Sequence, residues 1–208
     1  MRIERLVVMV SGGGTNFQAI LDACADGRIG ARVAGVVASK PGVYALTRAD
    51  NVGVPSVVIS PKEFENQQAH DEAVIKAIEG FGGQAVVLAG YMSILGPSLV
   101  SRFPIVNIHP SLIPSFCGKG YYGKRVHVAV LEYGAKVSGA TVHFVDEGTD
   151  TGPIIMQKCV DVLDGDTPDT LAARILEVEH EILIKSVALL CAGRLELLGR
   201  RVRINPES

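Results

Sequence analysis

Hydrophobic and polar residues follow one another in a repeating order through the first half of the chain. Short apolar runs predict buried strands at residues 6–10, 33–38, 56–59, 85–89 and 105–109. Helical spacing of apolar positions predicts helices at residues 17–24, 44–51 and 61–79, the last with a proline in its first turn. A series of this kind predicts an α/β fold with a doubly wound, mostly parallel, Rossmann-like sheet.

The pattern changes in the second half of the chain. Residues 110–123 are rich in proline and glycine and predict a loop. Alternating residues at 138–145 and 154–162 predict two strands, which would extend the sheet in an antiparallel way. A long helix is then expected, capped by Asp166 or Thr167 and ended by Gly193. The basic stretch at residues 194–203 is expected to form a solvated edge strand.

Composition narrows the class of protein. Hydrophobic residues make up 48% of the chain and aromatic residues only 5%, which favours a parallel sheet covered by helices. The net charge of −2 argues against binding to nucleic acid or to an acidic membrane, so a small-molecule partner is expected. The first apolar run is too short to span a membrane, and the four cysteines are scattered; both features favour a cytoplasmic protein with reduced thiols.

A glycine turn, SGGGTN, follows the first predicted strand at residues 11–16. Three glycines free backbone N–H groups to bind an anion such as phosphate, and the helix that follows adds its dipole. The same glycines would equally allow a tight turn with no ligand. Phe17 stands where a dinucleotide-binding turn needs its third glycine, so a dinucleotide site is not expected.

Asn107 and His109 form the polar end of an apolar strand that Pro110 then stops. Residues two apart on a strand face the same side, so both side chains are expected in one cleft. Asp150 lies in a later loop that we expect at the carboxyl edge of the sheet, beside them. A carboxylate there would raise the pKa of His109 and keep it protonated near neutral pH. The other four histidines are expected to be structural, with His70 on a helix surface.

Five segments together carry a resemblance to a known family: SGGGTNFQAIL, VVLAGYMSIL, NIHPSLIPSF, TVHFVDEGTDTGPIIMQ and a late helix containing VEHE. In these segments the chain resembles the formyltransferases that use 10-formyltetrahydrofolate. The resemblance covers nearly the whole chain. It implies a single domain over residues 1–208, with a ribonucleotide-binding half at about 1–100 and a folate-binding, catalytic half at about 101–208.

The resemblance also implies an activity, transfer of a formyl group from 10-formyltetrahydrofolate to the amine of glycinamide ribonucleotide in purine biosynthesis, with no metal. The implied catalytic residues are Asn107, His109 and Asp150. The implied ribonucleotide-binding residues are Gly13, Gly14, Thr15, Asn16 and Glu179. The implied folate-binding residues are Met92, Ser93, Ile94, Leu95, Asn107, Asp146, Glu147, Gly148, Thr149 and Asp150. Ser93 and Gln67 stand where many members of the family carry arginine.

Two other functions are compatible with the same residues. The catalytic trio could direct water instead of an amine, which would make the protein a formyltetrahydrofolate hydrolase. A module that binds a phosphorylated metabolite through the glycine turn would need no catalytic trio at all. Formylation of initiator tRNA would require a further basic domain, which is not expected in 208 residues.

Overall fold

The computed structural model describes residues 2–206, and its centre is one nine-stranded sheet. The strands are β1 (Arg5–Val10), β2 (Arg32–Ala38), β3 (Ser56–Val58), β4 (Ala85–Leu88), β5 (Ile105–His109), β6 (Val137–Phe144), β7 (Ile154–Asp161), β8 (Leu195–Leu198) and β9 (Arg201–Ile204). Their order across the sheet is β3-β2-β1-β4-β5-β6-β7-β9-β8. The helices are α1 (Thr15–Ala25), α2 (Tyr44–Asn51), α3 (Gln67–Gly80), α4 (Pro97–Arg102), α5 (Lys124–Tyr133) and α6 (Pro168–Cys191).

Strand direction divides the sheet into two parts. From β3 to β5 all neighbours are parallel, whereas β6 is antiparallel to both β5 and β7. The terminal hairpin of β8 and β9 adds to the edge through a parallel contact between β9 and β7. The predicted fold class, a mostly parallel sheet with an antiparallel extension, is confirmed.

The two faces of the sheet are buried in separate hydrophobic layers, because successive strand residues point to opposite sides. In β1, Leu6, Val8 and Val10 pack in the layer that contains the buried face of α6. Val7 and Met9 pack in the other layer, against Val74 and Ile78 of α3. The continuous apolar runs of the central strands follow from burial on both faces.

Three predictions from the sequence fail in detail. The third helix begins at Gln67 and not at Pro61, because residues Pro61–Glu63 form a short 3₁₀ helix and the Asn66 side chain caps α3 by accepting from the Ala69 N–H. His70 lies on the buried face of this helix and is not a surface residue. Helices α4 and α5 were not predicted. No helix within residues 2–206 is long and apolar enough to cross a membrane.

Candidate active site

The antiparallel pairing of β5 with β6 places four polar side chains on one face of the sheet. Asn107 lies directly opposite His143, and His109 lies opposite Thr141. The amide Nδ2 of Asn107 is 3.1 Å from Nε2 of His143. Since Nδ1 of His143 lies 2.7 Å from the carbonyl oxygen of Phe144, that nitrogen carries the proton, and Nε2 accepts from Asn107.

Asp150 joins these residues from the loop between β6 and β7. One carboxylate oxygen, Oδ2, lies 3.5 Å from Nδ1 of His109 and accepts from the N–H of Gly118 at 2.9 Å. The other, Oδ1, lies 3.4 Å from Nδ2 of Asn107 and 3.6 Å from Nε2 of His143. Asp150 has a φ of 58°, a left-handed conformation that residues other than glycine rarely adopt. The structure therefore brings the three implied catalytic residues together.

The path of the Asp150 loop differs from the one we expected. Because β6 runs antiparallel, its last residue, Phe144, pairs with Val106 near the start of β5. The loop thus begins beside the amino end of β5, not at its carboxyl edge, and Asp150 reaches His109 by folding back over the face of the sheet. The contact arises from this return and not from the sheet edge.

Burial and nearby groups act on the pKa of His109 in opposite directions. Burial lowers the pKa of His109 below its ordinary value, although Asp150 and the Phe116 carbonyl oppose this effect. The ring's Nε2 lies 3.0 Å from that carbonyl oxygen and donates to it. Burial alone would raise the pKa of Asp150, but His143, His109 and the Gly118 N–H lower it overall. The lowering by burial thus disfavours the protonated His109 that we expected at neutral pH.

The glycine turn leads into α1 through Gly14, which adopts a left-handed φ of 73° at the helix N-cap. A Cβ atom at this position would lie only 2.8 Å from Cβ of Ala45. Two residues later, Nδ2 of Asn16 donates to Glu179 of α6 at 2.8 Å. Burial raises the pKa of Glu179 to about 7, against the effect of this hydrogen bond. Oδ1 of Asn16 is buried and has no protein partner.

One cleft of about 440 Å³ connects these groups. Most of the implied site residues line it: Asn16, Met92, Ser93, Ile94, Leu95, Asn107, His109, Asp146, Gly148, Thr149, Asp150 and Glu179. Four implied residues are not among its lining: Gly13, Gly14, Thr15 and Glu147. The apolar side chains of Met92 and Ile94 are 50% and 69% exposed, which suits contact with the flat ring of a ligand.

Two further features of the cleft escaped the sequence reasoning. His143 lines it beside Asn107, although a mid-strand histidine suggested only a structural role. Lys119 also lines it and is its one lysine or arginine among residues 2–206. Within the same residues, no group of three or more histidine, cysteine or acidic side chains is placed to hold a metal ion.

Comparison with known proteins identifies the family. The family described as formyl transferase matches residues 4–187. The chain belongs to this family. It is 40% identical over 198 residues to a chloroplastic phosphoribosylglycinamide formyltransferase of Arabidopsis thaliana, covering 94% of this chain and 68% of that protein. It is 37% identical to the Escherichia coli phosphoribosylglycinamide formyltransferase, covering 92% of this chain and 89% of that protein.

A solved structure of the same family has a very similar fold. The crystal structure of glycinamide ribonucleotide transformylase 1 from Symbiobacterium toebii matches with a TM-score of 0.92 and 44% sequence identity. The match covers 98% of this chain and 95% of that chain.

Proposed function

We propose that the protein is an enzyme that transfers a formyl group from 10-formyltetrahydrofolate to the amine of glycinamide ribonucleotide, a step of purine biosynthesis. The observation that carries the proposal is the meeting of Asn107, His109 and Asp150 in a cleft that also contains the Asn16–Glu179 pair. The names of the relatives, phosphoribosylglycinamide formyltransferases, support the same substrates.

The ribonucleotide would bind at the end of the cleft formed by Asn16 and α6, with its phosphate at the adjoining glycine turn. The backbone N–H groups near Gly13 and Gly14 suit a phosphate, helped by the dipole of α1. The buried side-chain oxygen Oδ1 of Asn16 has no protein partner, and a ribose hydroxyl could donate to it. Glu179 offers a second acceptor beside it.

The folate would bind at the other side of the cleft, between residues 91–95 and the loop at residues 146–150. Met92 and Ile94 supply apolar surface for the pteridine ring, and backbone groups of the Asp150 loop supply donors and acceptors. Lys119 is the cation available in this cleft for an anionic part of either substrate. We propose that it partly replaces the arginines that Ser93 and Gln67 do not provide.

The reaction requires an amine to attack a formyl carbon, which places negative charge on the formyl oxygen. Asn107 can donate from Nδ2 once the substrate oxygen displaces one of the two acceptors of that nitrogen, the longer contact being the one to Asp150 at 3.4 Å. His109 can donate from Nε2 once the substrate oxygen replaces the Phe116 carbonyl. Negative charge on that oxygen, together with Asp150, would raise the pKa of His109 during the reaction and offset burial. Asp150 can also accept the proton that the amine loses, and this proton can pass to the folate nitrogen as its bond to the formyl carbon breaks and tetrahydrofolate leaves.

Other features of the chain support proposals about its domain organisation, its compartment and its partners. The sheet is continuous from β3 to β8, which favours a single domain over residues 1–208. All four cysteines are free, which favours a reducing compartment such as the cytoplasm. The net charge of −2 favours small molecules over nucleic acid as partners.

The deciding experiment mixes the protein with 10-formyltetrahydrofolate and follows release of tetrahydrofolate, with and without glycinamide ribonucleotide. We expect release that depends on the amine, with formylated ribonucleotide as the second product. Release that is independent of the amine would identify a hydrolase. Absence of release, with ribonucleotide binding intact, would identify a binding module and overturn the proposal.

A further inference from the structure

A polar cluster lies behind the cleft, on the side of residues 91–96 that faces α3. We call residues 91–96 the 91–96 loop. The cluster consists of Gln67, His70 and Asp71 on α3, with Tyr91 of the loop. Asp71 is fully buried and does not line the cleft. The mechanism described above uses none of the three residues of α3.

Asp71 is hydrogen-bonded directly to Gly96 and, through Gln67, to Ile94 of the loop. Its Oδ1 accepts from the backbone N–H of Gly96 at 3.1 Å and from Nε2 of Gln67 at 2.7 Å. The same Gln67 nitrogen donates to the carbonyl oxygen of Ile94 at 3.1 Å. Oδ2 of Asp71 accepts from the hydroxyl of Ser98, at the start of α4, at 3.3 Å. One carboxylate thus fixes the backbone that presents Ile94 and Leu95 to the cleft.

The chain approaches this carboxylate more closely than a side chain at position 96 would allow. A Cβ atom on Gly96 would lie 2.3 Å from Oδ2 of Asp71 and 3.0 Å from Cγ of Gln67. Gly96 is not in the left-handed region, so a turn does not require glycine here. The close approach to Asp71 does require it.

The environment of the Asp71 carboxylate indicates that this residue does more than occupy space in the core. A buried carboxylate is costly unless charge and hydrogen bonds compensate it. Within residues 2–206, no lysine or arginine forms an ion pair with Asp71; its one such contact is with Nδ1 of His70 at 3.8 Å. Burial lowers the pKa of His70, which favours the neutral ring. Hydrogen bonds from Gln67, Gly96 and Ser98 therefore carry most of the compensation, and two of these come from the loop and from α4, so the loop conformation and the buried charge depend on each other.

We propose that Asp71 is a positioning residue for the folate-binding side of the cleft, which it shapes by holding the 91–96 loop through Gly96, Ser98 and Gln67. This inference rests on the proposed function for the identity of the ligand. It assigns to Asp71 no contact with either substrate. Its effect should therefore appear in the affinity for one substrate and not in the chemistry.

The first test uses Asp71→Asn, which keeps the shape of the side chain but replaces one accepting oxygen with an N–H₂ group. We expect the KM for 10-formyltetrahydrofolate to rise about tenfold, while the KM for glycinamide ribonucleotide changes less than about twofold and kcat falls little. The matched control is Glu72→Gln, the same chemical change at the exposed neighbouring residue of α3. It should leave both KM values unchanged.

A second variant reaches the same contact from the other side. Gly96→Ala would push the loop away from Asp71 without removing any charge, and it should also raise the folate KM selectively. Gly80 is the last residue of α3, and a methyl group added there would meet open space, so Gly80→Ala is the control for Gly96→Ala. If Asp71→Asn does not fold, Gly96→Ala carries the test.

A readout without substrate separates this inference from the proposed function. Hydrogen exchange of the Gly96 amide should be faster in Asp71→Asn than in the wild type, because that N–H loses part of its acceptor. Unchanged exchange at residues 91–96 would overturn the positioning role. So would equal losses for both substrates, or a loss of kcat alone. A wild-type protein without transferase activity would instead remove the proposed function, and the exchange result would still decide whether Asp71 holds the loop.

Discussion

Asn107 and His143 are direct partners across the β5–β6 pair, and their side chains are joined at 3.1 Å. The second nitrogen of His143 donates to a carbonyl oxygen at 2.7 Å, so the ring presents a fixed acceptor to Asn107. This contact turns the amide nitrogen of Asn107 towards His143 and Asp150. His143 therefore orients a proposed catalytic group without needing to contact the reacting atoms itself.

Removing the acceptor on His143 should slow turnover. His143→Phe keeps an aromatic ring but leaves the Asn107 amide with only its longer contact, to Asp150 at 3.4 Å, so we expect kcat to fall about tenfold. His143→Gln can still offer an oxygen to Asn107 and should lose less. Steady-state kinetics of both variants tests the idea, and equal activity of the Phe variant and the wild type would contradict it.

Substitution of the proposed catalytic residues themselves should have a larger effect. We expect His109→Ala and Asp150→Asn each to reduce kcat by about a hundredfold or more, because each removes a group that stabilises charge in the transition state. Ribonucleotide binding, measured by calorimetry, should be largely retained. Asp161→Asn, an exposed carboxylate at the end of β7, is the control and should be fully active. Near-normal turnover in either catalytic variant would remove the proposed mechanism.

The pKa of His109 can be followed in the protein without ligands. Asp150 opposes the lowering that burial causes, so Asp150→Asn should lower the pKa of His109 further below its ordinary value. Titration of the histidine ring signals by NMR measures this directly. Asp161→Asn should leave the pKa of His109 unchanged. A rise in the Asp150→Asn variant would mean that the two residues are not coupled as their 3.5 Å contact indicates.

Stability should depend on pH through Glu179. The pKa of this group is about 7 in the folded protein and 4.5 in the reference state, so folding favours the protonated form. Its contribution is complete below about pH 4.5 and is lost as the pH rises towards 7. Relative to Glu179→Gln, the wild-type free energy of unfolding should fall by about 2 kcal/mol between about pH 5 and pH 7. Denaturant unfolding at several pH values measures the difference, and parallel profiles would contradict it.

Steric crowding at the glycine turn can be separated from backbone strain. Gly14 and Gly27 both have left-handed φ values, 73° and 81°, but only Gly14 has no room for a methyl group. Gly27→Ala should cost about 1 kcal/mol of stability from backbone strain alone, whereas Gly14→Ala should cost about 2 kcal/mol or more and weaken ribonucleotide binding. Equal losses in thermal unfolding would show that Ala45 does not limit the turn.

The sequence predicts much of this site because strand geometry is local. The two-residue spacing of Asn107 and His109, followed by Pro110, is sufficient to place both side chains on one face of a strand. The approach of His143 depends on the register between β5 and β6, which no local pattern states. Alternation in the segment TVHF does put His143 on the same side as Thr141, and this was the available signal.

Burial of polar residues is the other feature that sequence patterns conceal. His70 and Asp71 occupy the same helical face as Val74 and Ile78, and this face is buried. The prediction that His70 is exposed was wrong because hydrogen bonds from the 91–96 loop satisfy the polar side chains on this face. The missed helix α5 has a similar cause, since the buried His127 lies among its apolar positions and interrupts the expected stripe.

The left-handed backbone at Asp150 links the site to the evolution of stability. Such a conformation costs a residue with a side chain about 1 kcal/mol or more, and glycine would avoid most of that cost. Selection for a firmer fold alone would therefore favour glycine at this position, and selection for turnover would oppose it. Replacement of Asp150 in a descendant of this chain would therefore indicate that the descendant has kept the fold but not the chemistry.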